Sequence, residues 1–86
     1  MKYVVFKTPI DEEHLICAPC TFVHTEIVRM ADNYNRAILK PISAGFVKLD
    51  AEGRPYCCGH STTLNLNSRP EDIKLLKSQF RLANIF

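Results

Sequence analysis

Lys2-Tyr3-Val4-Val5-Phe6 is a short β-branched and aromatic run, stopped at Thr8-Pro9. That length and composition, bounded by a proline, predict a strand. His14-Leu15-Ile16-Cys17 has the same character and ends at Ala18-Pro19. It predicts a second strand, paired with the first as a hairpin through an exposed acidic turn at Asp11-Glu12-Glu13. The period then changes. Val23, Ile27, Met30, Ala31 and Tyr34 fall at i, i+4, i+7, i+8 and i+11, which is one face of an α-helix. His24, Glu26, Arg29 and Asn33 fall largely on its polar side, and Thr21 or Thr25 supplies a hydroxyl to cap its start. The helix is placed at residues 22–33.

Beyond Lys40-Pro41, Ile42–Asp50 and Pro55–Leu64 read as two strands around Ala51-Glu52-Gly53-Arg54. Gly53 suits the left-handed position that closes a short hairpin loop. Gly45 and Gly59 fall near one another across this ladder, where two missing side chains leave a bend or a shallow groove. The last element has the clearest local grammar. Ser68-Arg69-Pro70-Glu71 matches a capping box, in which serine and glutamate side chains satisfy exposed backbone donors. Proline in the first turn loses no intrahelical bond, and Asp72 places negative charge at the positive helix end. Ile73, Leu76 and Phe80 form the inward stripe, with Leu75 beside it, and Lys74, Lys77 and Arg81 form the wet one. The predicted order is β-β-α-β-β-α. The expected fold is α+β, a single compact domain over residues 1–86. Its four-stranded antiparallel sheet carries both helices on one face, and the other face is wet or meets a partner.

Composition supports a folded chain without enlarging the picture. At 86 residues, with 47% hydrophobic and 23% charged positions, the sequence is too apolar for disorder. Eleven Lys and Arg oppose nine Asp and Glu, a net charge of +2. The excess lies in the second half, chiefly at Lys74, Lys77 and Arg81. A dedicated nucleic-acid binder shows a stronger footprint, which ranks nucleic acid below protein as the partner. No apolar run approaches the ~20 residues needed to cross a bilayer, so no membrane insertion is expected. The apolar start is cut by Lys7 and Pro9 and lacks the long apolar region of a secretory signal. A cytoplasmic location follows, with the four cysteines as thiols.

Lys40-Pro41-Ile42-Ser43-Ala44-Gly45-Phe46-Val47 is followed by Cys58-Gly59-His60-Ser61, Leu64 and Ser68-Arg69-Pro70-Glu71-Asp72. This succession resembles a family of small phage- and prophage-encoded proteins of unassigned function. They share an SAGFV segment, a following strand and an SRPED-type helix start. His24, Ile27, Val28 and Arg29 are similar to the family's first helix, while Cys17, Cys20, Asn65 and Asn67 depart from its pattern. The resemblance implies a phage setting, and hence the host-cell cytoplasm, but no mechanism.

Cys17-Ala18-Pro19-Cys20 is the sharpest chemical string. Between a strand and a helix it resembles the thioredoxin/glutaredoxin layout, where a helix N-terminus favours the attacking thiolate and the second cysteine resolves the mixed disulfide. Two features oppose that assignment. Only 20 residues, Thr21 to Lys40, separate Cys20 from Pro41, too few for the intervening helix and strand, and Ile16 stands where an aromatic usually precedes the first cysteine. A zinc site is the second option, with Cys17, Cys20, His60 and either Cys57 or Cys58 as a tetrahedral N/S set. Adjacent Cys57 and Cys58 point to opposite sheet faces, so only one can reach a given metal. Cys58 and His60 share a strand face and sketch a thiol–imidazole nucleophile, without an orienting acid or oxyanion donors. His14 and His24 have blander places at a surface and a helix end. No catalytic residue, cofactor site or metal site is therefore assigned. The expected function is a non-enzymatic interaction protein binding a host or phage macromolecule, with a homodimer through an open sheet edge also compatible. The alternative is a thiol-redox or structural-zinc protein using Cys17, Cys20, Cys58 and His60.

Overall fold

A computed structural model describes the backbone of residues 1–35 and 39–80; the side chains of residues 32–35 and 80 lie outside the description. The elements are β1 (Lys2–Lys7), β2 (Glu13–Ala18), α1 (His24–Asn35), β3 (Lys40–Leu49), β4 (Pro55–Cys58), β5 (His60–Ser61), β6 (Leu66–Asn67) and α2 (Asp72–Phe80). β2, β1, β3 and β4 form a four-stranded sheet in that order, with every neighbouring pair antiparallel. Val4 stands between Ile16 and Ala44, and Tyr3 between Cys17 and Gly45. The α+β class and the four-stranded antiparallel sheet are as the sequence predicts.

The helices are placed differently from the expectation. Side chains alternate across a strand, and on β1 the two sets enter two separate clusters. Val4 and Phe6 pack with Ala18, Ala44 and the α1 residues Ile27 and Ala31. Tyr3 and Val5 pack with Leu15, Val47 and the α2 residue Leu76. The helices therefore cover opposite faces, rather than one face with the other left wet. The physical reason lies in β1, where Tyr3, Val4, Val5 and Phe6 are all fully buried. A continuous apolar run needs cover on both sides. A single helical layer would leave two of these side chains in water, at about 1.5–3 kcal/mol each.

The inward stripe of α1 is also rotated. His24, Ile27 and Ala31 are buried and Val28 packs beside them, whereas Val23 and Met30 stay exposed. Its start is closed by Glu26, whose carboxylate accepts the Val23 N–H at 3.2 Å, and not by a threonine. The β3–β4 hairpin closes as expected, with Gly53 at φ 79° and the Asp50 carboxylate accepting the N–H groups of Glu52 and Arg54.

β4 does not run on to Leu64. Gly59 adopts φ 78° and ends the ladder after Cys58. The chain then makes a two-stranded arm, β5–β6, around a turn with Asn65 at φ 55°. A Cβ on Gly45 would strike the Cys58 carbonyl, and one on Gly59 would lie 3.0 Å from the Phe46 ring. Each glycine thus lets a neighbour approach closely, Gly45 the Cys58 carbonyl and Gly59 the Phe46 ring, and the space a side chain would take is filled and not left as a groove. The α2 cap sits one residue later than predicted. The Asp72 carboxylate, not Glu71, reaches back to the Arg69 N–H at 2.9 Å, and Pro70 and Glu71 form the turn that precedes α2 rather than its first turn. Lys74 and Lys77 are exposed as expected, while Arg81 lies outside the described residues.

Candidate functional site

The structure separates the cysteines that the sequence offered as a site. Cys17 lies on β2 opposite Tyr3, among the residues that pack on the α2 face. Burial pushes its thiol up to about 11. Cys20 is exposed in the turn beyond the strand, and α1 begins only at His24. A redox pair needs a first cysteine whose pKa is lowered by a helix start or a cation, and Cys17 is shifted the opposite way. Cys57 shares the α2 face with Tyr3 and Cys17, and burial likewise pushes its thiol up to about 11. Cys58 pairs with Phe46, one position out of phase, and so points to the α1 face. Cys17 and Cys58 thus stand on opposite sides of the sheet, and Cys17, Cys20, Cys58 and His60 do not converge. The left-handed Gly59 also breaks the strand between Cys58 and His60, which removes their shared face. His14 is an exposed side chain 3.5 Å from Glu12.

On the α2 face the prominent chemistry is a polar clasp that ties β1 and β2 to the start of α2. Asp72 is fully buried. It accepts the Tyr3 hydroxyl at 2.5 Å, the Arg69 backbone N–H at 2.9 Å and the Arg69 Nε–H at 2.9 Å, and its Oδ1 lies in an ion-pair contact 2.8 Å from Arg69 Nη2. Arg69 Nη2 also donates to Glu13 at 2.8 Å. The Arg69 hydrogen bond, foremost, holds the Glu13 carboxyl below the usual carboxylate range. Burial and then the Asp72 carboxylate raise the Tyr3 phenol well above its ordinary value. Every strong acceptor and donor here is satisfied within the protein, so the clasp is structural.

On the α1 face lies a cleft of about 210 Å³, between the start of α1, the β3 strand and the β5–β6 turn. Its positive and imidazole groups are Lys2, His24 and His60, and Phe46 forms a wall. Ser61, Thr62 and Thr63 add three hydroxyls. His24 is only 5% exposed, and its Nε2 lies 2.9 Å from the Gly45 carbonyl oxygen. A carbonyl only accepts, so Nε2 donates and the ring is pinned. That ring meets Phe46 edge-on, with centroids 5.4 Å apart, and Lys2 Nζ lies 6.0 Å from the Phe46 centroid. Ser61 Oγ accepts the Leu64 N–H at 3.2 Å and lies 3.2 Å from Thr63 Oγ1, which fixes the turn. Among the described residues, no carboxylate lines the cleft. Such a lining offers hydrogen-bond donors and positive charge, the complement of an acidic group.

Of these residues, the sequence singled out only His24 and His60, and neither in this role. His24 was assigned to the polar side of α1, although His24, Ile27, Val28 and Ala31 follow the i, i+3, i+4, i+7 spacing of an inward stripe. Ser61–Thr63 were assigned to a strand interior. A second hollow of about 360 Å³, bordered by Phe6, Leu15, Ile16 and Leu39, is mainly apolar and runs along β2. Comparison with known proteins finds no matching family model, no matching curated protein and no matching solved structure.

Proposed function

We propose that this chain is a non-enzymatic interaction protein that holds an acidic group of a macromolecular partner in the Lys2–His24–His60 cleft, the partner being another protein. The observation that carries this reading is the lining itself: Lys2, the exposed His60 and the exposed Thr62 and Thr63 face the cleft, with no carboxylate among the described lining residues. Two of its walls, His24 and Phe46, are fixed by the core. Binding groups held on rigid elements lose little entropy when a partner docks. The phage setting, and with it a host-cell cytoplasmic location, rests on the resemblance carried by the SAGFV and SRPED segments.

Two features of the sheet edges favour a different protein over a second copy as partner. Asp50 N–H donates to the Arg54 carbonyl, so in the alternating ladder Pro55 and Cys57 turn their backbone outward on β4. Proline there has no N–H to offer a new strand. On the opposite edge, the Gln79 side chain already donates to the Leu15 carbonyl at 2.8 Å and accepts its N–H at 2.6 Å. Each edge is therefore blunted where strand addition would begin.

The test compares affinity capture from host-cell lysate by the tagged wild type and by Lys2→Glu/His60→Glu, with circular dichroism confirming that both are folded. The expected result is a set of proteins held by wild type and lost by the charge-reversed variant. Equal retention by both, or nothing above a tag-only control, would overturn the reading.

A further inference from the structure

We infer that the acidic group taken by this cleft is a phosphate monoester on a protein side chain. The inference rests on the binding role proposed for the cleft and goes on to name its ligand chemistry. The cleft, at about 210 Å³, is smaller than the roughly 300–1,000 Å³ that enclose a drug-sized molecule. It accommodates one group presented by a larger partner.

The lining discriminates between acidic groups. A phosphate monoester carries about −1.5 to −2 charges and three strong acceptor oxygens, whereas a carboxylate carries one charge and two oxygens. Lys2 supplies a point charge, His60 an exposed imidazole, and Thr62 and Thr63 exposed hydroxyls. Lysine ammonium groups bind phosphate as point charges, while planar carboxylate recognition favours an arginine fork. Among the described residues, no arginine lines this cleft. The start of α1 is not what recommends the site, because Glu26 already occupies the Val23 N–H.

The same observations separate a phosphoprotein from a nucleic acid. Nucleic-acid tracks need an extended basic groove and exposed aromatic faces on which bases stack. Here the Phe46 ring is met by the edge of His24 and by Lys2. The exposed Lys74 and Lys77 belong to α2, across the sheet from the cleft, so they cannot extend it into a track.

The experiment is amide-resolved NMR titration of the full chain with four probes: inorganic phosphate, a phosphoserine hexapeptide, the same peptide with glutamate at that position, and a single-stranded hexanucleotide. The expected result is saturable shifts at Lys2, His24 and His60–Thr63 with the phosphopeptide. Binding should be at least about tenfold tighter than for the glutamate peptide, and weakened about tenfold by Lys2→Gln and by His60→Gln. Inorganic phosphate should shift the same amides more weakly. His60 is exposed, so His60→Gln carries the test if Lys2→Gln disturbs β1. Equal affinity for the glutamate peptide would overturn the phosphate assignment and leave the acidic-group cleft standing. Tighter binding of the oligonucleotide, shifts centred elsewhere, no saturable shift, or tighter binding of free phosphate than of the phosphopeptide would overturn it as well. The lysate comparison stays independent of all these outcomes.

Discussion

Asp72→Ala removes the acceptor at which three hydrogen-bond donors and an ion-pair contact converge, and its cost can be worked from the geometry. The Tyr3 hydroxyl, fully buried, loses its partner at 2.5 Å, and an unsatisfied buried donor costs about 1–3 kcal/mol. Arg69 keeps Glu13 at 2.8 Å and Glu71 at 3.5 Å, with its side chain 27% exposed, so its charge is only partly stranded. Breaking a fully buried pair costs about 3–5 kcal/mol. The expected loss for Asp72→Ala is therefore about 3–4 kcal/mol. Native stability for a chain of this length is about 4–13 kcal/mol, so the loss takes about a quarter or more of it and leaves the variant at the edge of folding only at the low end of that range. Tyr3→Phe should cost less, about 1–2 kcal/mol, because Asp72 retains its two hydrogen bonds and its ion-pair contact with Arg69. Urea denaturation followed by far-UV circular dichroism at pH 7 gives each value, and a Tyr3→Phe/Asp72→Asn cycle isolates their coupling, expected at about 1 kcal/mol or more. A loss below about 1 kcal/mol for Asp72→Ala, or a coupling within about 0.3 kcal/mol of zero, would refute the clasp. Its pH dependence has a definite sign. The Glu13 carboxyl is lowered in the native state, so its contribution is present above the ordinary carboxylate value and lost as pH falls through the lowered one. Glu13→Gln should destabilise at neutral pH and converge with wild type in acid.

Gln79→Ala should cost about 1–2 kcal/mol and sharply accelerate hydrogen exchange at the Leu15 amide, since two bonds to the β2 edge vanish. Iodoacetamide at pH 8 should modify the exposed Cys20 quickly and Cys17 and Cys57 slowly, as read by peptide mass spectrometry. Their raised thiol values stabilise below the ordinary thiol pKa, and this contribution is lost as pH climbs towards about 11. Cys17→Ser/Cys20→Ser should fold with modest loss; one zinc per chain in wild type, lost together with a collapse in melting temperature, would contradict the structural role. Ser43→Ala should be neutral or stabilising by up to about 1 kcal/mol in thermal melts, because the buried hydroxyl has no partner.

The elements themselves were legible because each carried its own local signal. Thr8-Pro9 and Ala18-Pro19 bounded β1 and β2, and Gly53 closed the β3–β4 turn. Pro70 marked the turn that leads into α2. What failed depended on three dimensions. The unbroken run Tyr3–Phe6 already hinted at two covered faces, but short apolar strands do not say where their covering helices come from. The capping role assigned to Glu71 falls to Asp72, which the buried Tyr3 hydroxyl and the Arg69 N–H hold in place, contacts that local spacing does not reveal. The cleft was hidden for a related reason. Lys2, His24, Phe46 and His60 are scattered along the chain, and only the β1–β3 register and the left-handed Gly59 bring them to one place.

Site-specific photo-crosslinking tests the proposed role of the cleft most directly. A benzophenone side chain is placed in the full chain at Thr62, on the cleft rim, or at Glu52, at the exposed tip of the β3–β4 loop. Each protein is irradiated in host-cell lysate, and covalent partners are identified by mass spectrometry. The expected result is a discrete partner captured from Thr62, absent from Glu52, and competed away by the phosphoserine peptide. Capture from Glu52 alone, or equally from both positions without competition, would contradict a binding role for the Lys2–His24–His60 cleft.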